Sequence, residues 1–140
     1  MSLRQQLLNR CLRLTEKPLL ARANPQMLRA TMEMQARLFF KGPGDVSAEW
    51  RGLPGAGSAL WLTPQGPSNG RVILYIHGGG FVFGSPETHR AMVARLALLT
   101  GAQAVLPRYA RVPEAAFPKP AEDIRAAWDA LCRTGIAARD

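Results

Sequence analysis

Residues 71–80, Arg-Val-Ile-Leu-Tyr-Ile-His-Gly-Gly-Gly, constrain the fold more than any other stretch of the chain. The apolar run 72–76 has no polar alternation, so both faces require burial, as in a parallel strand covered by helices. It is far too short to cross a bilayer. Three successive glycines then strip the turn of Cβ atoms. The backbone can adopt conformations closed to other residues and bring bare N–H groups close to a ligand. A strand that delivers such a turn, with a helix behind it, can hold negative charge by backbone hydrogen bonds.

The flanking sequence supplies the rest of a layered α/β unit. An amphipathic helix is expected over residues 2–17, with Leu3, Leu7, Cys11 and Leu14 on one stripe and Pro18 at its end. A second helix starts at Asn24, an N-cap residue, and Pro25, suited to the first helical position. Its expected inner stripe is Met27, Thr31, Met34 and Leu38, widened by Leu28, Met32 and Phe39. Two strands over 46–53 and 58–63 flank a Pro-Gly-Ala-Gly turn. After the glycines, Ser85 and Pro86 open a helix that Gly101 stops, with Met92, Leu96 and Leu99 inward and Val93 and Ala97 beside them. A short strand over 102–106 follows, then a helix over 118–132 with Ile124, Trp128 and Leu131 inward, ended by Gly135. The sum is two helices, a β-hairpin and βαβα, an α/β architecture with parallel crossovers. Residues 1–40 form a helical segment and 41–140 the sheet-bearing core.

Charge and cysteines narrow the function classes. The net charge is +8, but no run of more than two basic residues and no basic–aromatic interleaving marks a nucleic-acid surface. Solvated helix faces account for the surplus. Residues 1–40 carry seven Lys/Arg against two acidic residues. Such a segment can act as a transit peptide or a membrane-surface helix. The cap chemistry at Asn24 and the wide apolar face favour helices packed over the domain instead, where a Met-rich face could line a substrate entrance. Cys11 and Cys132 have neither metal nor disulfide spacing, and two free thiols suit a reducing, cytoplasmic compartment. No metal or cofactor is expected.

Three chemistries compete for the glycine turn. A dinucleotide fingerprint requires G-x-G-x-x-G, and from Gly78 the last position is Phe83. A phosphate loop requires lysine after its final glycine, where Ser85 stands behind Gly84. The third is an oxyanion hole for acyl transfer, which a His-Gly-Gly-Gly turn after a sheet strand serves.

At this point the chain resembles a known family. His77-Gly78-Gly79-Gly80-Phe81 with Gly84-Ser85, then Tyr109, Pro113-Glu114 and Phe117-Pro118, then Glu122-Asp123, with Trp128 and Leu131 behind, stand in family order. They resemble the N-terminal half of an α/β-hydrolase of the hormone-sensitive-lipase-like esterase family, and the first two helices resemble its cap. The resemblance implies a serine carboxylesterase acting on small or medium acyl esters through an acyl-enzyme. It implies backbone N–H donors at Gly79 and Gly80, with His77 and Gly78 shaping the turn. Tyr109, Glu114 and Asp123 read as loop anchors. Arg108, where the family has an acidic residue, and Arg111 and Val112, where it has leucine and alanine, depart from the pattern.

A nucleophile is missing from this reading. None of Ser2, Ser47, Ser58, Ser68 and Ser85 lies in G-x-S-x-G. His77 belongs to the turn, His89 reads as a packing residue, and Cys132 has no histidine near it. The expected strand that feeds a nucleophile elbow would follow residue 140. The strand at 72–76 is then left with an open apolar edge, so marginal stability, self-association or pairing with a complementary half is expected. A non-catalytic module that binds acyl ligands is the alternative.

Overall fold

The computed structural model describes residues 5–7, 9–10, 14 and 24–136. Residues 5–7, 9, 10 and 14 are helical, and the remainder of the first expected helix lies outside the described residues. Seven further elements follow: α1 (Pro25–Phe39), β1 (Val46–Gly52), β2 (Ser58–Pro64), β3 (Val72–Leu74), α2 (Pro86–Thr100), β4 (Gln103–Pro107) and α3 (Lys119–Arg133).

The strands form one mixed sheet in the order β1-β2-β4-β3. The β1–β2 hairpin and the β2–β4 ladder are antiparallel, and β3 pairs with β4 in parallel through the α2 crossover. The Tyr75 N–H extends the β3 pairing to the Val105 carbonyl at 2.9 Å.

Alternation along the strands builds two cores. Leu60, Leu62, Ala104 and Leu106 face α2, where they meet Val93, Ala94 and Ala97. Their neighbours Ala59 and Val105 point the other way, to Ala127, Ala130 and Leu131 of α3. Helices therefore cover both faces, and β4 is buried on each, as the apolar character of its sequence requires.

The helix ends follow the expected cap chemistry. The Asn24 side chain accepts from the Gln26 N–H, and Ser85 and Thr88 form a reciprocal capping box. Gly101 closes α2 with φ +64°.

The buried helix faces differ from expectation. In α2, Met92, Leu96 and Leu99 are exposed, and the sheet receives Val93 and Ala97, expected at the edge of the buried face, together with Ala94. Large leucines on β2 and β4 already fill the interlayer space, so small residues let the helix approach. In α3, Trp128 is exposed and Ile124 only partly buried, while Ala127, Ala130 and Leu131 pack inward. In α1, Met27, Met32, Met34, Leu38 and Phe39 are exposed, whereas Arg29 and Ala36 are buried. Leu7 and Leu14 are also exposed.

Candidate functional site

The loop 77–84 leaves β3 at the end of the sheet and re-enters the fold at the N-cap of α2. Its carbonyls are tied back into the protein one after another. The buried Tyr109 hydroxyl donates to the His77 carbonyl at 2.6 Å. The Arg29 Nε–H donates to the Val82 carbonyl at 2.6 Å. Arg111 donates to the Gly84 carbonyl. Within the loop, the N–H groups of Val82 and Phe83 both donate to the Gly79 carbonyl, at 3.1 and 2.8 Å.

Two glycines are there because the loop closes on itself. A Cβ at Gly79 would lie 2.2 Å from the Phe83 carbonyl oxygen, and one at Gly84 would lie 2.2 Å from that of Gly78. Gly79 also has φ +128° and Gly84 φ +77°, which disfavour side chains. Gly78 and Gly80 differ, because open space surrounds the place of each missing Cβ. Among the described residues, the N–H groups of Gly79 and Gly80 meet no hydrogen-bond acceptor. Carbonyls held inward beside unsatisfied N–H groups are an arrangement by which a backbone loop can accept a small anionic oxygen.

His77 is buried beneath this loop, its ring stacked on Tyr109 at 4.2 Å between centroids. Its Nδ1 lies 3.1 Å from the Gly78 carbonyl oxygen and 3.1 Å from the Tyr109 hydroxyl. With Tyr109 donating to the His77 carbonyl, the Nδ1–H tautomer satisfies Gly78. Burial lowers the His77 pKa to about 4, against a partial upward pull from the Gly78 hydrogen bond. The imidazole is thus neutral near pH 7 and acts as a wedge. The same burial raises the Tyr109 pKa and lowers that of Arg111, which faces the like charge of Arg29.

The surrounding residues anchor. Glu114 accepts a bidentate pair from Arg29 at 2.7 and 2.8 Å, and this hydrogen bonding holds its carboxyl down to about 2. Asp123 accepts from the Ala110 N–H at 3.0 Å and pairs with Lys119 at 2.7 Å. Partial burial would raise the Asp123 pKa, but these two partners outweigh it and lower it. Arg108, the departure from the family pattern, lies over the Trp50 ring at 4.4 Å. Neither Arg29 nor the contact of Arg111 with Gly84 was legible beforehand, because spacing along a helix or loop carries no signal for a partner some 27 to 85 residues away.

The other nucleophile and base candidates are not brought together. Ser85 Oγ accepts from the Thr88 N–H as a helix cap. His89 Nδ1 lies 3.1 Å from the Ser85 carbonyl oxygen and 2.9 Å from the Thr88 hydroxyl, a packing arrangement. Cys132 is free and exposed. Among the described residues, no three His, Cys, Asp or Glu side chains are grouped to hold a metal, and no helix is long and apolar enough to cross a membrane.

Comparison with known proteins now becomes decisive. A family profile described as the alpha/beta hydrolase fold matches residues 73–139, from β3 past the end of α3. A crystal structure of an esterase from the bacterial hormone-sensitive lipase family superposes with a TM-score of 0.74 at 33% identity, over 83% of this chain and 38% of that one. The chain belongs to the hormone-sensitive-lipase-like family of the α/β-hydrolase fold. An esterase/lipase from an uncultured bacterium gives a TM-score of 0.76 at 33% identity, covering 98% of this chain and 45% of its own. An acetyl-hydrolase of Streptomyces hygroscopicus is 38% identical over 93 residues, 66% of this chain and 29% of its own length. An esterase of Acinetobacter venetianus is 32% identical over 116 residues, 83% and 37% respectively. The chain therefore spans about a third of the length of these curated relatives.

Proposed function

We propose that this chain supplies the oxyanion hole and cap segment of a serine carboxylic-ester hydrolase acting on small or medium acyl groups. The observation that carries the reading is the closed loop 77–84, with its carbonyls tied inward and the Gly79 and Gly80 N–H groups without an acceptor among the described residues. Such donors stabilise the alkoxide of a tetrahedral intermediate as charge develops, and removing one costs on the order of 10²–10³ in rate in hydrolases. Relatives named as acetyl-hydrolase and esterase support the acyl-ester class.

The acyl-enzyme route also needs a nucleophile, a base and an orienting acid. Among the described residues Ser85 is engaged as a cap and His77 as a wedge, and the 140 residues alone are expected to be inactive. On this reading α1 belongs to a helical cap segment, 1–40, that serves the 41–140 core, and the complete enzyme needs no cofactor. The test is a fusion in which this chain replaces the corresponding segment of the Acinetobacter esterase. The fusion should hydrolyse a short activated aryl ester, and Gly79→Ala should abolish that turnover. The isolated chain should not exceed the buffer rate. Turnover by the isolated chain that a serine-directed inhibitor stops would overturn its assignment as a partial machine.

One observation favours a second reading. Among the described residues β3 is paired on one side only, and its residues Val72, Ile73 and Leu74 are half-buried. The open edge suits strand addition by a complementary segment or a second copy, with the chain acting as a partner-pairing or acyl-binding module. Concentration-dependent association that ends when a charge is placed at Ile73 would support it.

A further inference from the structure

The Val82 carbonyl of the loop is held by a residue of α1. Arg29 is 7% exposed, and each of its three guanidinium nitrogens donates a hydrogen bond. Nε–H donates to Val82, one terminal nitrogen donates to both Glu114 oxygens, and the other donates to the Val112 carbonyl. The Val112 N–H in turn donates to the Phe81 carbonyl at 2.9 Å. Residues 81 and 82 are thus clamped from α1 and from the 112 segment at once.

The clamp continues to the glycine turn. The Val82 peptide that presents its carbonyl side to Arg29 belongs to the residue whose N–H donates to Gly79. Two hydrogen bonds therefore connect a helix side chain to the residue whose N–H is offered to an anion. Arg29 and Ala36 are the buried residues of α1; Leu28 is half-buried, and Met27, Met32, Met34, Leu38 and Phe39 are exposed. Gln26 adds a bond to the same Glu114 at 3.1 Å, and Arg37 pairs with Glu87 on α2. Docking of α1 thus shares the Arg29 bonds with the loop.

We propose that Arg29 is a positioning residue that makes docking of the cap helix α1 and the aim of the Gly79–Gly80 donors a single equilibrium. Its catalytic meaning rests on the oxyanion-hole reading, while its structural content does not. The planar fork is essential. It serves two carbonyls and a carboxylate from one centre, whereas a lysine ammonium is a point charge on a flexible stem. A path of contiguous bonds becomes coupling only when a perturbation at one end moves the other.

Amide hydrogen exchange on the full chain, read by mass spectrometry over 78–84 and 25–39, tests this. Arg29→Lys should accelerate exchange at Val82 and Phe83 by about tenfold, the loss expected when one buried hydrogen bond of the loop is given up. Arg29→Met should do at least as much if it folds. Leu131→Ala, on the opposite face of the sheet, lowers global stability without touching the clamp and should leave those amides within about twofold. Glu114→Gln keeps both carbonyl bonds and should also leave the loop near wild type. Arg29→Lys exchange equal to wild type, or to that of Leu131→Ala, would overturn the proposal. So would a Glu114→Gln loop as labile as the Arg29→Lys loop. Because exchange reads the loop itself, failure of the fusion enzyme to hydrolyse esters would count against the hydrolase reading and not against the clamp.

Discussion

Gly79 and Gly80 are adjacent members of one motif, yet the structure predicts different responses to the same methyl group. At Gly80, φ is +60° and the added Cβ meets nothing within 4 Å, so Gly80→Ala carries only the left-handed backbone penalty, about 1 kcal/mol. At Gly79, φ is +128° and the Cβ would sit 2.2 Å from the Phe83 carbonyl oxygen and 2.4 Å from its carbon. Both atoms are backbone and cannot rotate away. Relief requires the turn to open, which removes the bonds from the Val82 and Phe83 N–H groups to Gly79, each worth about 0.5–1.5 kcal/mol net. Adding backbone strain of about 1–2 kcal/mol gives a total of roughly 2–5 kcal/mol. Urea denaturation followed by far-UV circular dichroism would read both variants against wild type. Gly79→Ala should be the less stable of the two by about 2 kcal/mol, a midpoint shift of roughly 0.7–2 M for a slope of about 1–3 kcal/mol per M. Equal destabilisation, or a larger effect at Gly80, would refute the closed-turn geometry.

Three further outcomes follow from the same contacts. His77 has its folded pKa lowered by burial to about 4, so between that value and about 6.5 the unfolded chain binds more protons. Stability should therefore rise with pH across this window by up to about 3 kcal/mol and level off above it, and His77→Gln should flatten that limb in urea titrations at stepped pH. Tyr109→Phe keeps the ring stacked on His77 but leaves the buried His77 carbonyl without its donor. It should cost about 1–3 kcal/mol by thermal or chemical melting, and a change near zero would show the hydroxyl to be idle. Leu131→Ala should cost about 2–4 kcal/mol, while Trp128→Ala, on the exposed side of α3, should cost less than about 1 kcal/mol despite its larger side chain.

That last pair shows where sequence reasoning stopped. Chain punctuation was legible because its chemistry is local: Asn24 and Pro25, Ser85 and Pro86, and Gly101 each act on backbone groups within a few residues. The strand into the glycine turn was legible because an apolar run with no alternation admits few other fates. Helix phase was not. Reading bulky residues as buried put Met92, Leu96 and Leu99 inside, but burial depends on the space the partner layer leaves, and Leu60, Leu62 and Leu106 leave room under α2 only for small groups; on α3, Ala127 and Ala130 face the sheet where Trp128 was expected. A buried arginine runs against the usual exterior place of that residue, and its partners lie 53 to 85 positions away. The glycine motif itself was found from its pattern. The division of labour within it, close contact at Gly79 and Gly84 against open space at Gly78 and Gly80, exists only once the turn has closed.

The small residues beneath α2 have a bearing on engineering. Val93, Ala94 and Ala97 set the height at which this helix rides over β2 and β4, and Ser85 at its tip is the landing point of the glycine turn. A methylene added under the helix would act as a shim, lifting or tilting the rod and carrying its tip along. Variants of the glycine turn that change only its own residues would miss this control. Positions 94 and 97, sealed from solvent and remote in sequence from the motif, offer fine adjustment of where the turn points.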